Sequence, residues 1–396
     1  MIQATIKNGF EFEPRYRLDM AGLIAFLRHF MNMPCNIVVD RRKWLIQVSC
    51  LLLSEKLHLS NHAQNETKSP FWNIIKRLDD PPTGPSSADN LMTNEDSVAS
   101  VVDEISKVVP KGQVYLGVGP DQNYSLMAHL EPSYGFILDY RKKNQLLHLL
   151  QKALVENSAN RHAYLEHFWG RNLPELPLSL NDIEKEFKIL AKQPQNELLV
   201  QSAKELVTQT MSKWNILIDK EFHEIATIQA RLAGPGPDAR FLALKMYPTL
   251  GSLITMPSRS GQPSHWLASD RTYAAIRKMQ LSDQILPIVG DWAGPGAIRR
   301  LAEHLKMNQL QVGCIYISDV EFFLLRGGLF QKYLENLSAL PRHPESKIIR
   351  TSTRELNHTE RVSGRSSTTV VRSLSRFLES AKTGKIKSWE DLFDVL

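Results

Sequence analysis

The stretch from Val114 to Asp139, VYLGVGPDQNYSLMAHLEPSYGFILD, decides how this chain is read. It opens on VYLGVG, an apolar run long enough for a buried strand and closed by glycines. The helix-sized NYSLMAHLEP comes next, and YGFILDY is a second buried run. Strand, glycine turn, helix, strand is how a parallel α/β sheet begins. Gly117 and Gly119 stand where the first strand meets its helix, a place where a cofactor approaches the backbone and a Cβ would collide with it. Backbone amides at such a helix start favour a carboxylate or a phosphate. Asp139 ends the second strand twenty residues after Gly119, the offset at which an acidic side chain accepts hydrogen bonds from a ribose.

Downstream, ILPIVGD, QVGCIYISD and SKIIRTST read as three further strands, with AGPGAIRRLAEHLKM and GLFQKYLENLSAL as the helices between them. Five alternating parallel strands result, a Rossmann-like α/β domain over about residues 86–354. The long gap between Asp139 and Ile285 is read as a helical insertion over about residues 155–280. It contains SLNDIEKEFKILAKQ and a stretch of one or two long helices, NELLVQSAKELVTQTMSKWNILIDKEFHEIATIQARLA, stopped by GPGP. Upstream, residues 19–78 repeat apolar positions at helical spacing, and DDPPTGPSSADN breaks every regular element. A helical amino-terminal unit with its linker therefore takes residues 1–85. Residues 355–396 form a basic tail whose VVRSLSRFLESAKTG and SWEDLFDVL read as two amphipathic helices, so the sheet is expected to stop at its fifth strand.

With 42% hydrophobic and 23% charged residues among 396, the chain has the composition of a globular protein with a core, and wholesale disorder is excluded. Its start lacks the basic-then-apolar order of a signal peptide, and the apolar run WLIQVSCLLL is too short to span a bilayer. Three scattered cysteines give no support to a disulfide framework, and the twelve histidines show no metal spacing, so a reduced, cytoplasmic protein without a metal site is expected. Net charge is +6, with eleven Lys and Arg against four Glu between Arg342 and Lys387. Such a basic segment is compatible with nucleic-acid binding, although a solvated surface is the favoured reading.

A third acid, Asp291 in VGDWAG, falls at the end of another strand, where ligands of open α/β sheets collect. Trp292 beside it is either an adenine-stacking residue or ordinary packing. Here the chain resembles the class I S-adenosylmethionine-dependent methyltransferases: VYLGVGPDQ looks like their glycine-rich first motif, ILDY their ribose-binding acid and VGDWAG their adenine-contacting strand end. The wording of DNLMTNEDS, YLGVGPDQNYSLMA, DYRKKNQLLHLLQKAL, HWLASDRTYAAIRKMQ, PIVGDWAGPGAIRRL and YISDVEFFL is closer to a group of uncharacterised bacterial proteins with a methyltransferase-like fold. That likeness covers about residues 88–352. The resemblance implies that Gly117, Gly119, Asp121, Asp139, Tyr140, Asp291 and Trp292 surround the cofactor, with Asp139 on the ribose hydroxyls and Asp291 on the adenine amine. In this chain Tyr115 replaces the acid that opens the first motif, and Asp121 its third glycine.

Methyl transfer consists mainly of aligning an activated donor with its acceptor, so a base is optional; Asp319 and Glu321 at the fourth strand end are the candidates. Asn94 and Glu95 either close over the cofactor or cap the helix that follows, and capping is expected. His148 is expected to be a packed helix residue. The leading expectation is a methyltransferase whose insertion shapes the pocket of an unidentified acceptor. A non-catalytic binding or scaffold protein is the alternative. A nicotinamide-dependent oxidoreductase is disfavoured because PDQNY follows Gly119 in place of the glycine continuation that seats a pyrophosphate.

Overall fold

The computed structural model describes residues 70–81, 91–174, 183–216, 219–354 and 356–394. A compact unit spans Lys68–Leu396. Of the expected amino-terminal helical unit, all but the helix Pro70–Leu78 lies outside the described residues, as does most of the linker.

Within this unit stands a six-stranded, mostly parallel sheet flanked by helices. Its strands are β1 (Val114–Gly117), β2 (Gly135–Asp139), β3 (Ile285–Val289), β4 (Val312–Ser318), β5 (Arg342–Ser352) and β6 (Thr368–Ser373). They lie in the order β3-β2-β1-β4-β5-β6. The first five are parallel, each buried apolar run of the sequence supplying one, and β1, β2 and β3 are buried along their whole length as strands covered on both faces must be.

Pro287 sits inside β3 without harm because, among the described residues, β3 pairs with no strand but β2. The N–H of Val289, two residues on, points to the outer side and donates to Asp79 Oδ1 at 2.8 Å, so the N–H that Pro287 lacks would also have faced outward. Asp80 N in turn donates to the Val289 carbonyl at 2.7 Å. The residues after the helix Pro70–Leu78 thus cover this sheet edge, and Asp80 also pairs with Arg300 at 2.7 Å.

One expectation is overturned. The sheet does not stop at β5: Thr368–Ser373, of which Val370 onward was read as the start of an amphipathic helix, forms β6 and pairs antiparallel with β5 from Ser352↔Thr368 to Lys347↔Ser373. The β-branched run Thr368, Thr369, Val370, Val371 favours a pleated, buried surface, and the helix begins only at Leu374, with Ser373 as its cap. Part of the basic tail is therefore interior. Arg372 is buried, bonded to Glu360 and to the Phe393 carbonyl.

The segment between β2 and β3 is helical throughout its regular parts, including Arg161–Trp169, Ile183–Leu190, Glu197–Lys213, Asp219–Ala233 and Asp270–Leu281. The expected long helical stretch is two helices, parted near Asn215, whose φ of 57° is incompatible with a continuing helix. Trp266 ties this segment to the sheet layer. It is fully buried against Tyr124, Tyr164 and Tyr273, and its backbone N–H donates to Ser125 Oγ at 3.1 Å.

Candidate functional site

The sheet order reverses between β1 and β4: the chain leaves β1 toward β2 and leaves β4 toward β5. A crevice opens outside the carboxyl ends of two such strands, and ligands of open α/β sheets bind there. The residues after β1, after β4 and across the top of both strands define the candidate site.

After β1 the chain turns sharply, with Gly119 at φ 82°. Asn123, in the first turn of the helix Gln122–Leu130, braces that turn from below. Its amide donates to the carbonyls of Val118, Gly119 and Pro120 at 2.9, 3.2 and 2.7 Å, while Tyr115 OH donates to its Oδ1 at 2.8 Å. Gly117 is glycine because a Cβ there would stand 1.9 Å from Asn123 Oδ1. Behind the turn, His148 Nε2 bonds the Gly119 carbonyl at 3.0 Å. A carbonyl only accepts, so the proton is on Nε2, and Nδ1 accepts from Tyr124 OH at 2.9 Å. Burial holds this imidazole neutral, its pKa lowered to about 4. His148 is thus packed, as its position on the helix suggests, and it also fixes the glycine turn.

Asp121 turns away from the turn toward the helical segment, where Oδ2 accepts from Trp266 Nε1 at 3.1 Å; burial raises its pKa. At the end of β2, Asp139 is buried. Oδ1 accepts from Arg141 N at 2.9 Å and Oδ2 from Asn144 Nδ2 at 3.1 Å, and the Arg141 guanidinium lies 3.5 Å from Oδ1. Burial outweighs these contacts and raises the Asp139 pKa. Asn144 Oδ1, also buried, has no hydrogen-bond partner. Tyr140 lies beneath the Arg141 guanidinium, 4.3 Å from its ring centre. At the end of β3, Asp291 is partly exposed and accepts from Ala293 N at 2.9 Å. Trp292 is buried, its indole donating to the Leu138 carbonyl at 3.1 Å and its ring edge-on to Tyr333.

The two acids after β4 part company. Glu321 is fully buried between Arg350, whose guanidinium donates to both carboxylate oxygens, and Tyr333 OH, which donates to Oε1 at 2.9 Å. That places it in the packing of the two helices after β4 against β5. Asp319 is partly buried, its pKa raised by desolvation and drawn down by Arg354 and Arg141. Arg141 therefore acts on an acid at the β4 end as well as on Asp139 at the β2 end.

Glu95 does not cap a helix. Its carboxylate reaches the end of β4 and accepts from Tyr316 OH and Ser318 Oγ. Gln122 Nε2 donates to the same Tyr316 OH at 3.2 Å, so Gln122, Tyr316 and Glu95 bridge the crevice. Burial, and then the charge of Asp319, push the Glu95 pKa up to about 7. The segment carrying Glu95 is fastened at the far side of the sheet. Asp96 accepts from the backbone and hydroxyls of Ser366 and Ser367, and Ser97 Oγ lies 2.7 Å from both Ser367 Oγ and Thr369 Oγ1. Residues 93–101 thus roof the strand ends. Beneath this roof is a small cleft whose lining includes Glu95, Val98, Gln122, Leu253, Ser264 and His265.

A family model matches residues 91–393, taking in the roof, the sheet and β6. The chain belongs to the family described as a domain of unknown function, DUF7790. No curated protein matches it. The DUF7790 match starts at the roof, so Glu95 and the strand ends it covers belong to one domain.

Of the residues singled out in the sequence, Gly117, Gly119, Asp121, Asp139, Tyr140, Asp291 and Trp292 all stand at or just beyond the carboxyl ends of β1, β2 and β3, and Asp319 at that of β4. Gln122 and His265 lie within the quoted VYLGVGPDQ and HWLASDRTYAAIRKMQ but were not singled out, Ser264 lies in no quoted segment, and Glu95 was assigned a cap's role. Among the described residues no helix is long and apolar enough to cross a membrane.

Proposed function

We propose that this DUF7790 domain is an S-adenosylmethionine-dependent methyltransferase acting on an acceptor yet to be identified. The observation that carries the reading is the placement of the Gly117–Gly119 turn beside Asp139 at adjacent strand ends, next to the point where the strand order reverses. The Rossmann-like order of the five parallel strands and the antiparallel β6 support it, as does the resemblance of VYLGVGPDQ, ILDY and VGDWAG to the methyltransferase motifs.

The residues fit such a cofactor. Asn144 Oδ1 is a buried acceptor without a donor, the kind of atom a ribose hydroxyl would satisfy, and Asp139 lies beside it. Asp291, partly exposed at the next strand end, suits the adenine amine, and the amides of the glycine turn suit a carboxylate. Asp121, held by Trp266, does not oppose that carboxylate at close range. When bound, S-adenosylmethionine supplies an activated methyl group on a sulfonium centre. The protein's part is to align the acceptor, exclude water beneath the roof, and take the acceptor's proton. With its pKa near 7, Glu95 is suited to that last task.

One observation favours a second reading, a binding or scaffold protein that keeps the fold without transfer: both Asp139 oxygens are engaged by Arg141 and Asn144, and Trp292 is packed with its N–H bonded. Calorimetric titration with S-adenosylmethionine, S-adenosylhomocysteine and NAD separates the readings. The methyltransferase reading expects heat from the first two that Asp139→Ala abolishes. Absence of binding to both at millimolar concentration would leave the scaffold.

A further inference from the structure

We propose that the cleft beneath the roof is a binding site for a small alkylamine in its ammonium form. As the acceptor subsite it rests on the methyltransferase reading; as a binding site it stands without it.

The argument is one of chemical complementarity. Two side-chain oxygens of residues lining the cleft, Gln122 Oε1 and Ser264 Oγ, are buried without a hydrogen-bond partner, and both residues are more than nine-tenths buried. An unsatisfied buried acceptor costs stability unless a ligand or water supplies a donor. Gln122 cannot turn its amide nitrogen inward without losing its bond to Tyr316 OH. Ser264 is held in place by its carbonyl, which bonds His129 Nε2 at 2.9 Å.

The charge of the cleft points the same way. Among the described residues its lining holds two carboxylates and no Lys or Arg. Asp96 is already answered by Ser366 and Ser367, and the Arg365 guanidinium acts on it from a position bonded to the Pro257 carbonyl. Glu95 accepts from Tyr316 and Ser318 and is also hydrogen-bonded by Thr351, which leaves a carboxylate room for one further donor. His265 adds no positive charge: burial keeps it neutral, its pKa lowered to about 3. An anion would meet Glu95 without a counter-charge, and a neutral alcohol offers one donor where three acceptors wait. An ammonium offers three. Val98, Val102, Leu253 and Met256 supply an apolar wall for a short hydrocarbon chain.

The test is calorimetry on the full chain at pH 8 without any cofactor, using hexylamine, hexanol and sodium hexanoate as probes. Hexylamine should bind about tenfold or more tightly than hexanol, and hexanoate should give no heat, as the loss of charge-assisted bonds to a buried carboxylate requires. Glu95→Gln should weaken hexylamine by about tenfold and leave hexanol unchanged. Ser264→Ala, whose small change guards against a folding defect in the first variant, should weaken hexylamine by a few-fold. Equal binding of all three probes, absence of heat from hexylamine at millimolar concentration, or indifference of hexylamine to both substitutions would overturn the proposal. Hexylamine binding in a protein that ignores S-adenosylmethionine would sink the methyltransferase reading and leave this site standing. The reverse result would sink this site alone.

Discussion

Ser318 leaves β4 with a φ of 54° and donates its hydroxyl to Glu95, a residue 223 positions earlier in the chain. A non-glycine residue in the left-handed region between a strand and a helix carries backbone strain that the surroundings must hold in place, and such strain concentrates where side chains are aimed for a purpose. Here it aims the Ser318 hydroxyl at a buried carboxylate whose pKa is pushed up to about 7.

That carboxylate ties stability to pH. The folded pKa of Glu95, about 7, is above the ordinary 4.5, so the folded state holds the proton more tightly than the unfolded one. Its favourable contribution is therefore complete below about pH 4.5, declines as pH rises toward 7, and is absent above, a change of about 3 kcal/mol. Glu95→Gln carries no such dependence. In urea unfolding the variant should gain on wild type between pH 5 and pH 8, and an identical difference at the two pH values would contradict the assignment.

Glu321 should behave as a packing residue. Removing its charge leaves Arg350, wholly buried, without a counter-ion, and breaking such a pair costs about 3–5 kcal/mol. Glu321→Gln should lower the urea midpoint accordingly. If it left stability intact while abolishing activity, the acid would belong to the chemistry.

The glycine turn predicts a coupling. Gly117→Ala drives a Cβ into Asn123 Oδ1 and should destabilise by about 1–3 kcal/mol. Asn123→Ala removes the nearest obstacle, leaving the Tyr115 ring at 2.8 Å, along with its four bonds to the turn and Tyr115. The double variant should then be less destabilised than the sum of the two singles, as measured in a double-mutant cycle.

Cys314, buried in β4 with its thiol pKa pushed up by desolvation, should stay unmodified by iodoacetamide in the native protein and react once urea unfolds it. Peptide mass spectrometry reads the position directly.

The parallel strands were legible because each is a short apolar run bounded by turn residues, and Gly117, Gly119, Asp139 and Asp291 because strand ends are marked by where those runs stop. β6 was hidden: TTVVRS runs straight into LSRFLESAK, and nothing local separates a strand from the helix it feeds. Glu95 was missed for a related reason. Asn-Glu-Asp-Ser ahead of a helix has the form of a cap, and the partners that give Glu95 its character, Tyr316 and Ser318, lie more than two hundred positions away. Gln122 and Ser264 are distinguished by buried oxygens without a partner, which no pattern in a sequence records.

The fastening of the roof has a consequence in time. Ser97 is held by Ser367 and Thr369, 270 and 272 residues later, so a ribosome extending the chain at about 5–20 residues per second makes one end of this latch roughly 15–50 s before the other. Through that interval β1 to β5 are made in turn, while the segment carrying Glu95 has no anchor beside β6. The roof is latched only when the last strand arrives, and a nascent chain lacking that strand is one whose roof has nothing to fasten to.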